Sequence, residues 1–248
     1  MKITVFKDER ALARTLALEI AAGLKERPGT VFGLPTGRTP IRLYHELGTL
    51  HARRQADFSD ATTFNLDEFL GVSPDHPGSY RAFMEEHLFS RVNLARERIH
   101  VLNGAATDPE AECARFERAI AEAGGVDLQL LGIGTNGHIG FNEPARELAP
   151  RTHRVTLKAS TRRSNAALFG EDPDSVPAEA LSMGMATILH ARRILLLATG
   201  KSKARCIERL VNGPITTKMP ASFLQLHPAV ELMLDEAAAG GLADIRSL

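Results

Sequence analysis

The sequence predicts an α/β protein with a mainly parallel sheet covered by helices on both faces. Three observations predict it. Short apolar, strand-like runs alternate with helix-spaced runs from one end of the chain to the other. The chain has 248 residues, 44% of them hydrophobic, which is ample for a core. Glycine-rich polar loops follow several of the strand-like runs, and the carboxyl ends of strands are where open α/β sheets bind small molecules.

The elements follow in order. Ile3 to Phe6 is a β-branched run and reads as the first strand. Asp8 to Lys25 reads as a helix, with Leu12, Leu16, Leu18, Ile20 and Leu24 on its apolar side. Val31 to Leu34 is the next strand and Pro40 to Arg53 the next helix; Thr39 reads as its N-cap and Pro40 as its first residue. Thr62 to Asn65 is a third strand. Tyr80 to Leu88 and Asp108 to Ala123 read as helices. Leu128 to Ile133, Arg154 to Leu157, Arg193 to Thr199 and Val230 to Leu234 read as strands, and Ser202 to Val211 as a helix. No internal repeat or linker stands out, so one domain over residues 1–248 is expected. The polar segment from Arg146 to Pro177 is expected to form a mobile flap.

Composition narrows the function. The formal net charge is zero and aromatic residues are 5%, which gives no electrostatic or stacking basis for nucleic acid or an anionic membrane. Cys113 and Cys206 lie apart in helix-like segments and read as reduced thiols. No apolar run has membrane-spanning length, and Met1 to Glu9 resembles a strand, not a secretory signal. A cytoplasmic protein is expected. No metal-ligand spacing occurs among the histidines and cysteines, so no metal is expected.

The most informative stretch is Leu130 to Pro144, where an apolar run empties into four glycines that surround Asn136, His138, Asn142 and Glu143. Such a loop is poor core material and good material for acid–base chemistry. Gly132, Gly134 and Gly137 spell GxGxxG, but Pro144 soon interrupts the chain and no long helix begins there, so a dinucleotide site is rejected. Gly33 to Pro40 joins a strand to a helix; it reads as an anion site with Arg38 adding charge, or as a capped turn with a surface arginine. Asp67 and Glu68 follow a strand and face opposite ways, so one of them is a lone base or both form an acidic turn. Gly200-Lys201-Ser202 lacks the upstream glycine of a P-loop, which leaves a lysine able to pair with a monophosphate.

Together the stretches Gly33–Pro40, Thr63–Gly71, Gly132–Pro144, Thr199–Ala204 and Pro220–Pro228 resemble the glucosamine-6-phosphate deaminase family, in order and over nearly the whole chain. Gly137 to Pro144 is the most specific piece; related phosphogluconolactonases share the Gly-His without usually continuing Phe-Asn-Glu-Pro. The resemblance implies a Rossmann-like three-layer αβα fold. It also implies isomerisation and hydrolytic deamination of glucosamine 6-phosphate to fructose 6-phosphate and ammonia, with no cofactor and a phosphosugar as the small-molecule partner of a monomer or homo-oligomer. By resemblance Asp67 is the C2–C1 proton-transfer base, His138 opens the ring, Glu143 is its carboxylate partner and Asn136 stands beside it. Thr36, Gly37, Arg38, Thr39 and Lys203 match phosphate-binding positions. A galactosamine phosphate or a lactone is the alternative substrate. A non-catalytic sugar-phosphate sensor is less favoured, because the pattern leaves no room for a DNA-binding helix-turn-helix.

Two departures stand out. Ala167 occupies the place of a flap arginine that reaches the substrate phosphate in the family, a contact worth about 1.5–3 kcal/mol. Arg38, where the family more often has a small residue, is expected to compensate, with Arg163 the second candidate. The region Arg146-Glu147 and His153-Arg154-Val155 matches the family's allosteric site poorly, and the chain ends at Leu248. Activation by N-acetylglucosamine 6-phosphate is therefore not expected.

Overall fold

The computed structural model describes residues 1–242. In chain order the elements are β1 (Lys2–Phe6), α1 (Glu9–Glu26), β2 (Val31–Leu34), α2 (Arg38–Ala52), β3 (Thr62–Asn65), β4 (Asp67–Phe69), α3 (Tyr80–His87), β5 (Ile99–His100) and α4 (Pro109–Glu122). There follow β6 (Leu128–Leu131), β7 (His153–Thr156), α5 (Ala159–Asn165), β8 (Glu179–Ser182), α6 (Met185–Leu189), β9 (Arg193–Ala198), α7 (Ala204–Asn212), β10 (Val230–Asp235) and α8 (Glu236–Ala239).

Seven strands form a sheet in the order β1-β10-β9-β6-β2-β3-β5, and every pairing in it is parallel. Its five inner strands are buried on both faces, so most of them read as near-continuous apolar runs, whereas the edge strands β1 and β5 stay partly exposed. The period of two still sorts them. Ile194, Leu196 and Ala198 of β9 join one core with Phe116 of α4 and Ile207 of α7. Leu195 and Leu197 join the other, with Leu16 of α1 and Leu43 of α2. The three-layer αβα expectation therefore holds. Asp8 caps α1 by accepting from the Ala11 N–H, and Asp108 caps α4 in the same way.

Two features depart from the sequence reading. Arg154 to Leu157 does not enter the main sheet: β7 pairs antiparallel with β8, and β8 with β4, in a separate three-stranded sheet. Within the expected flap, α5 forms without an apolar face. A small core of Phe69, Tyr80, Phe141, Leu157, Ala166, Val176 and Ala180 lies beneath that cover.

The chain leaves β2 toward β3 on one side, and β6 pairs with β9 on the other. Loops that diverge from adjacent parallel strands open a crevice at their carboxyl ends. The loops after β2, β3, β6 and β9 all meet there.

Candidate active site

The crevice is a cleft of about 910 Å³. Thr36, Gly37, Arg38, Thr39, Asp67, Asn136, His138, Glu143 and Lys203 all line it. Each comes from a loop or element end that the sheet topology brings together.

At one end lies an anion-shaped corner. Gly37, at φ 95°, precedes α2, and no side chain among the described residues caps the helix. Its conformation suits glycine, and the first-turn N–H groups stay free at the positive end of the helix dipole. This corrects the sequence expectation: α2 begins at Arg38, so Thr39 is not its N-cap and Pro40 is not its first residue. A threonine cap would occupy the donors that an anion needs. Lys203 enters from the other side, and its ammonium donates to the Ile133 carbonyl at 2.6 Å. Burial pushes its pKa down, and the nearby Arg38 guanidinium adds to the effect. Two cations beside an uncapped helix end form a site that only an anion relieves.

Asp67 sits where the chain leaves β3 and enters β4. It is 6% exposed, and its carboxyl is pushed up to about 8, first by burial and then by the charge of Glu68. Glu68 points away from the cleft and accepts from the main-chain N–H groups of Phe69, Tyr80 and Arg81, each at 2.9 Å. The two carboxylates thus face opposite ways, and Glu68 serves the N-terminus of α3.

The loop after β6 carries His138 and Glu143. Strand β8 anchors it: the Phe141 N–H donates to Ser182 Oγ at 3.2 Å and the Asn142 amide donates to the Met183 carbonyl at 2.8 Å. Ser182 is also the register partner of Asp67, so one short strand sets both sides of the cleft. The His138 ring lies directly over Gly134, where an added Cβ would sit 2.2 Å from its Cε1. Asn136 donates to Glu143 Oε2 at 2.8 Å and accepts from the His138 N–H at 3.1 Å. His138 Nδ1 lies 3.4 Å from Glu143 Oε1. Burial pushes the imidazole pKa down, Glu143 opposes it, and Lys203 and Lys158 add to the lowering. A neutral imidazole at pH 7 can accept a proton and return it.

A family model described as glucosamine-6-phosphate isomerases/6-phosphogluconolactonase matches residues 7–233. The chain belongs to this family. It is 47% identical over 239 residues to a glucosamine-6-phosphate deaminase of Halothermothrix orenii, covering 96% of this chain and 99% of that one. A second such protein, glucosamine-6-phosphate deaminase 1 of Giardia intestinalis, is 50% identical over 220 residues, covering 89% and 83%. The solved structure of a monomeric glucosamine-6-phosphate deaminase superposes with a TM-score of 0.93 at 44% identity, covering 97% of this chain and all of that one (100%). A 6-phosphogluconolactonase from Thermotoga maritima shares the fold, with a TM-score of 0.74 at 20% identity over 94% of this chain and 99% of that one.

Within this family's framework, the two candidates for the missing flap arginine separate. Arg38 lines the cleft, whereas Arg163 is exposed outside it, as is Ala167. Arg162 is also committed elsewhere, donating to the Val176 and Asp174 carbonyls. Four cleft residues of α5 escaped the sequence reading: Ser160, Thr161, Ser164 and Asn165. Their spacing is that of a helical stripe, but the stripe is polar and has no apolar counterpart to reveal the period. Tyr80 escaped as well. It is the first residue of α3, its ring lies parallel to Phe141 within 10° at 5.9 Å, and its hydroxyl donates to Asn165 Oδ1 at 3.4 Å.

Proposed function

We propose that this chain is an isomerising deaminase that converts glucosamine 6-phosphate and water to fructose 6-phosphate and ammonia. One observation carries the reading. A buried carboxyl with no hydrogen-bond donor among the described residues, an imidazole and its carboxylate partner share one cleft with a two-cation helix terminus. The named deaminases at 43% to 50% identity support the same substrate class.

The chemistry follows from the groups present. The 6-phosphate binds at the N-terminus of α2 with Arg38, Thr36, Gly37, Thr39 and Lys203. The C2 proton of an amino sugar is weakly acidic until the ring opens and C1 becomes a carbonyl carbon. His138 takes the proton of O1 and delivers one to O5, which opens the ring. Glu143, held by Asn136, orients the imidazole and stabilises its protonated form. Asp67 then takes the C2 proton, the electron pair flows to the C1 carbonyl, and O1 takes up the proton that the substrate ammonium gives up through solvent, to give an enolamine. Return of a proton to C1 leaves a C2 iminium. Water adds there and ammonia leaves, so the reaction ends as a hydrolysis.

Among the described residues no helix is long and apolar enough to cross a membrane; from the phosphosugar substrate of this reading we infer a cytoplasmic enzyme. The test is an incubation of purified protein with glucosamine 6-phosphate, its galacto epimer and 6-phosphogluconolactone. The expected result is ammonia and ketose phosphate in equal amounts from the gluco epimer. Acid release from the lactone without ammonia from either amino sugar overturns the reading.

A further inference from the structure

The His138–Glu143 pair is incompletely made. Although Nδ1 approaches Oε1 at 3.4 Å, the contact lacks hydrogen-bond alignment, and Nδ1 is a buried nitrogen with no partner among the described residues. The carboxylate is nevertheless tightly held. Oε2 accepts from Asn136, and Oε1 accepts from the Thr161 hydroxyl at 2.9 Å. Thr161 belongs to α5, the helix of the cover, and is itself only 7% exposed. On the same side of that helix, Asn165 accepts from Tyr80. Just before the helix, Lys158 donates to the Pro144 carbonyl at 2.8 Å, one residue beyond Glu143. The cover thus grips the loop that carries the acid–base pair.

We propose that Thr161 is a positioning residue that couples the cover helix to the His138–Glu143 pair, by holding the carboxylate oxygen that faces the imidazole. The inference rests on the deaminase reading for its consequence, but its geometry is independent of substrate. An oxygen that accepts a hydroxyl proton offers less charge to the imidazole. When α5 shifts away, Oε1 is released and engages Nδ1 more strongly; when α5 seats, the carboxylate is aimed but partly neutralised. The position of the cover therefore sets both the orientation and the basicity of the ring-opening group. The charged and titratable groups around the imidazole are Glu143 on its own loop, Asp67 across the cleft from β4, Lys203 before α7, Arg38 at the start of α2 and Lys158 before α5.

The test compares Thr161→Val, which keeps the shape and removes the donor, with Thr161→Ser, which keeps the donor. The His138 pKa is read by side-chain nitrogen NMR titration of the substrate-free protein, alongside kcat. The expected result is an upward shift of about half a unit or more in Thr161→Val with kcat lowered about tenfold. Thr161→Ser should match wild type in both. A wild-type His138 titration in Thr161→Val, or a Thr161→Ser variant that shares its shift and loss, overturns the proposal. Failure of the wild-type protein to release ammonia would instead defeat the functional reading and leave the titration result standing.

Discussion

Asp67 and Glu68 are chain neighbours with opposite environments. Asp67 turns into the cleft, where no hydrogen-bond donor among the described residues offsets its desolvation, while Glu68 turns back and satisfies three main-chain N–H groups. Period-two geometry separates the pair; burial then raises the proton affinity of Asp67, while Glu68 supports α3.

The first prediction concerns pH. In the proposed mechanism proton abstraction needs the ionised Asp67, whose carboxyl is pushed up to about 8. The acid limb of kcat/KM should therefore fall near pH 8 in the free enzyme, far above an ordinary carboxylate. Asp67→Asn should lower kcat by about a thousandfold or more. Its stability should respond the other way. A carboxyl with a raised folded-state pKa stabilises the protein fully below the unfolded value and loses that contribution as pH rises through the folded value. Wild type should lose stability between about pH 4 and 8, and Asp67→Asn should be the more heat-stable protein at pH 9, by a few degrees in Tm. A variant less stable than wild type at pH 9 would contradict the assigned burial cost.

Phosphate anchoring supplies a paired comparison. Arg38→Ala should raise KM for the phosphosugar about tenfold or more with a smaller effect on kcat. Arg163→Ala, outside the cleft, should leave KM within about twofold. Equal KM values for the two variants would remove Arg38 from the role.

Gly134 tests how closely the imidazole is seated. A methyl group there meets the His138 ring at 2.2 to 2.5 Å, so Gly134→Ala must displace it. We expect kcat to fall about a hundredfold with circular dichroism and phosphate affinity near wild type. Full activity in this variant would show that the ring position is unimportant.

Regulation yields a negative expectation with a structural basis. Two of the basic residues after Asn142-Glu143-Pro144 already have internal partners: Arg151 pairs with Glu117 at 3.1 Å, and Arg154 makes a two-pronged contact with Glu179 at 2.8 and 2.5 Å. An anionic effector would have to displace them. Initial rates against glucosamine 6-phosphate should be hyperbolic and unmoved by N-acetylglucosamine 6-phosphate; a sigmoidal curve that the acetylated sugar straightens would contradict this.

Local patterns in the chain determined the alternation of elements, the parallel sheet and the loops that bear His138, Glu143, Asp67 and Lys203. Helical spacing, strand runs and glycine-rich breaks are short-range properties, so one sequence displays them. The loop after β2 was legible as an anion site, but its cap was not: Gly37 rather than Thr39 precedes the helix, because the donors are left for a ligand and not for a side chain. Only the tertiary structure decided that β7 and β8 leave the main sheet for β4, since strand pairing depends on partners distant in the chain. That second sheet lets Ser182 stand beside both Asp67 and the His138 loop. The same holds for α5, whose polar stripe has no local signature and becomes meaningful only where Thr161 meets Glu143. Burial decided the chemistry of Asp67, because a carboxyl's proton affinity is set by the solvent it loses, and that loss is a property of the packed molecule.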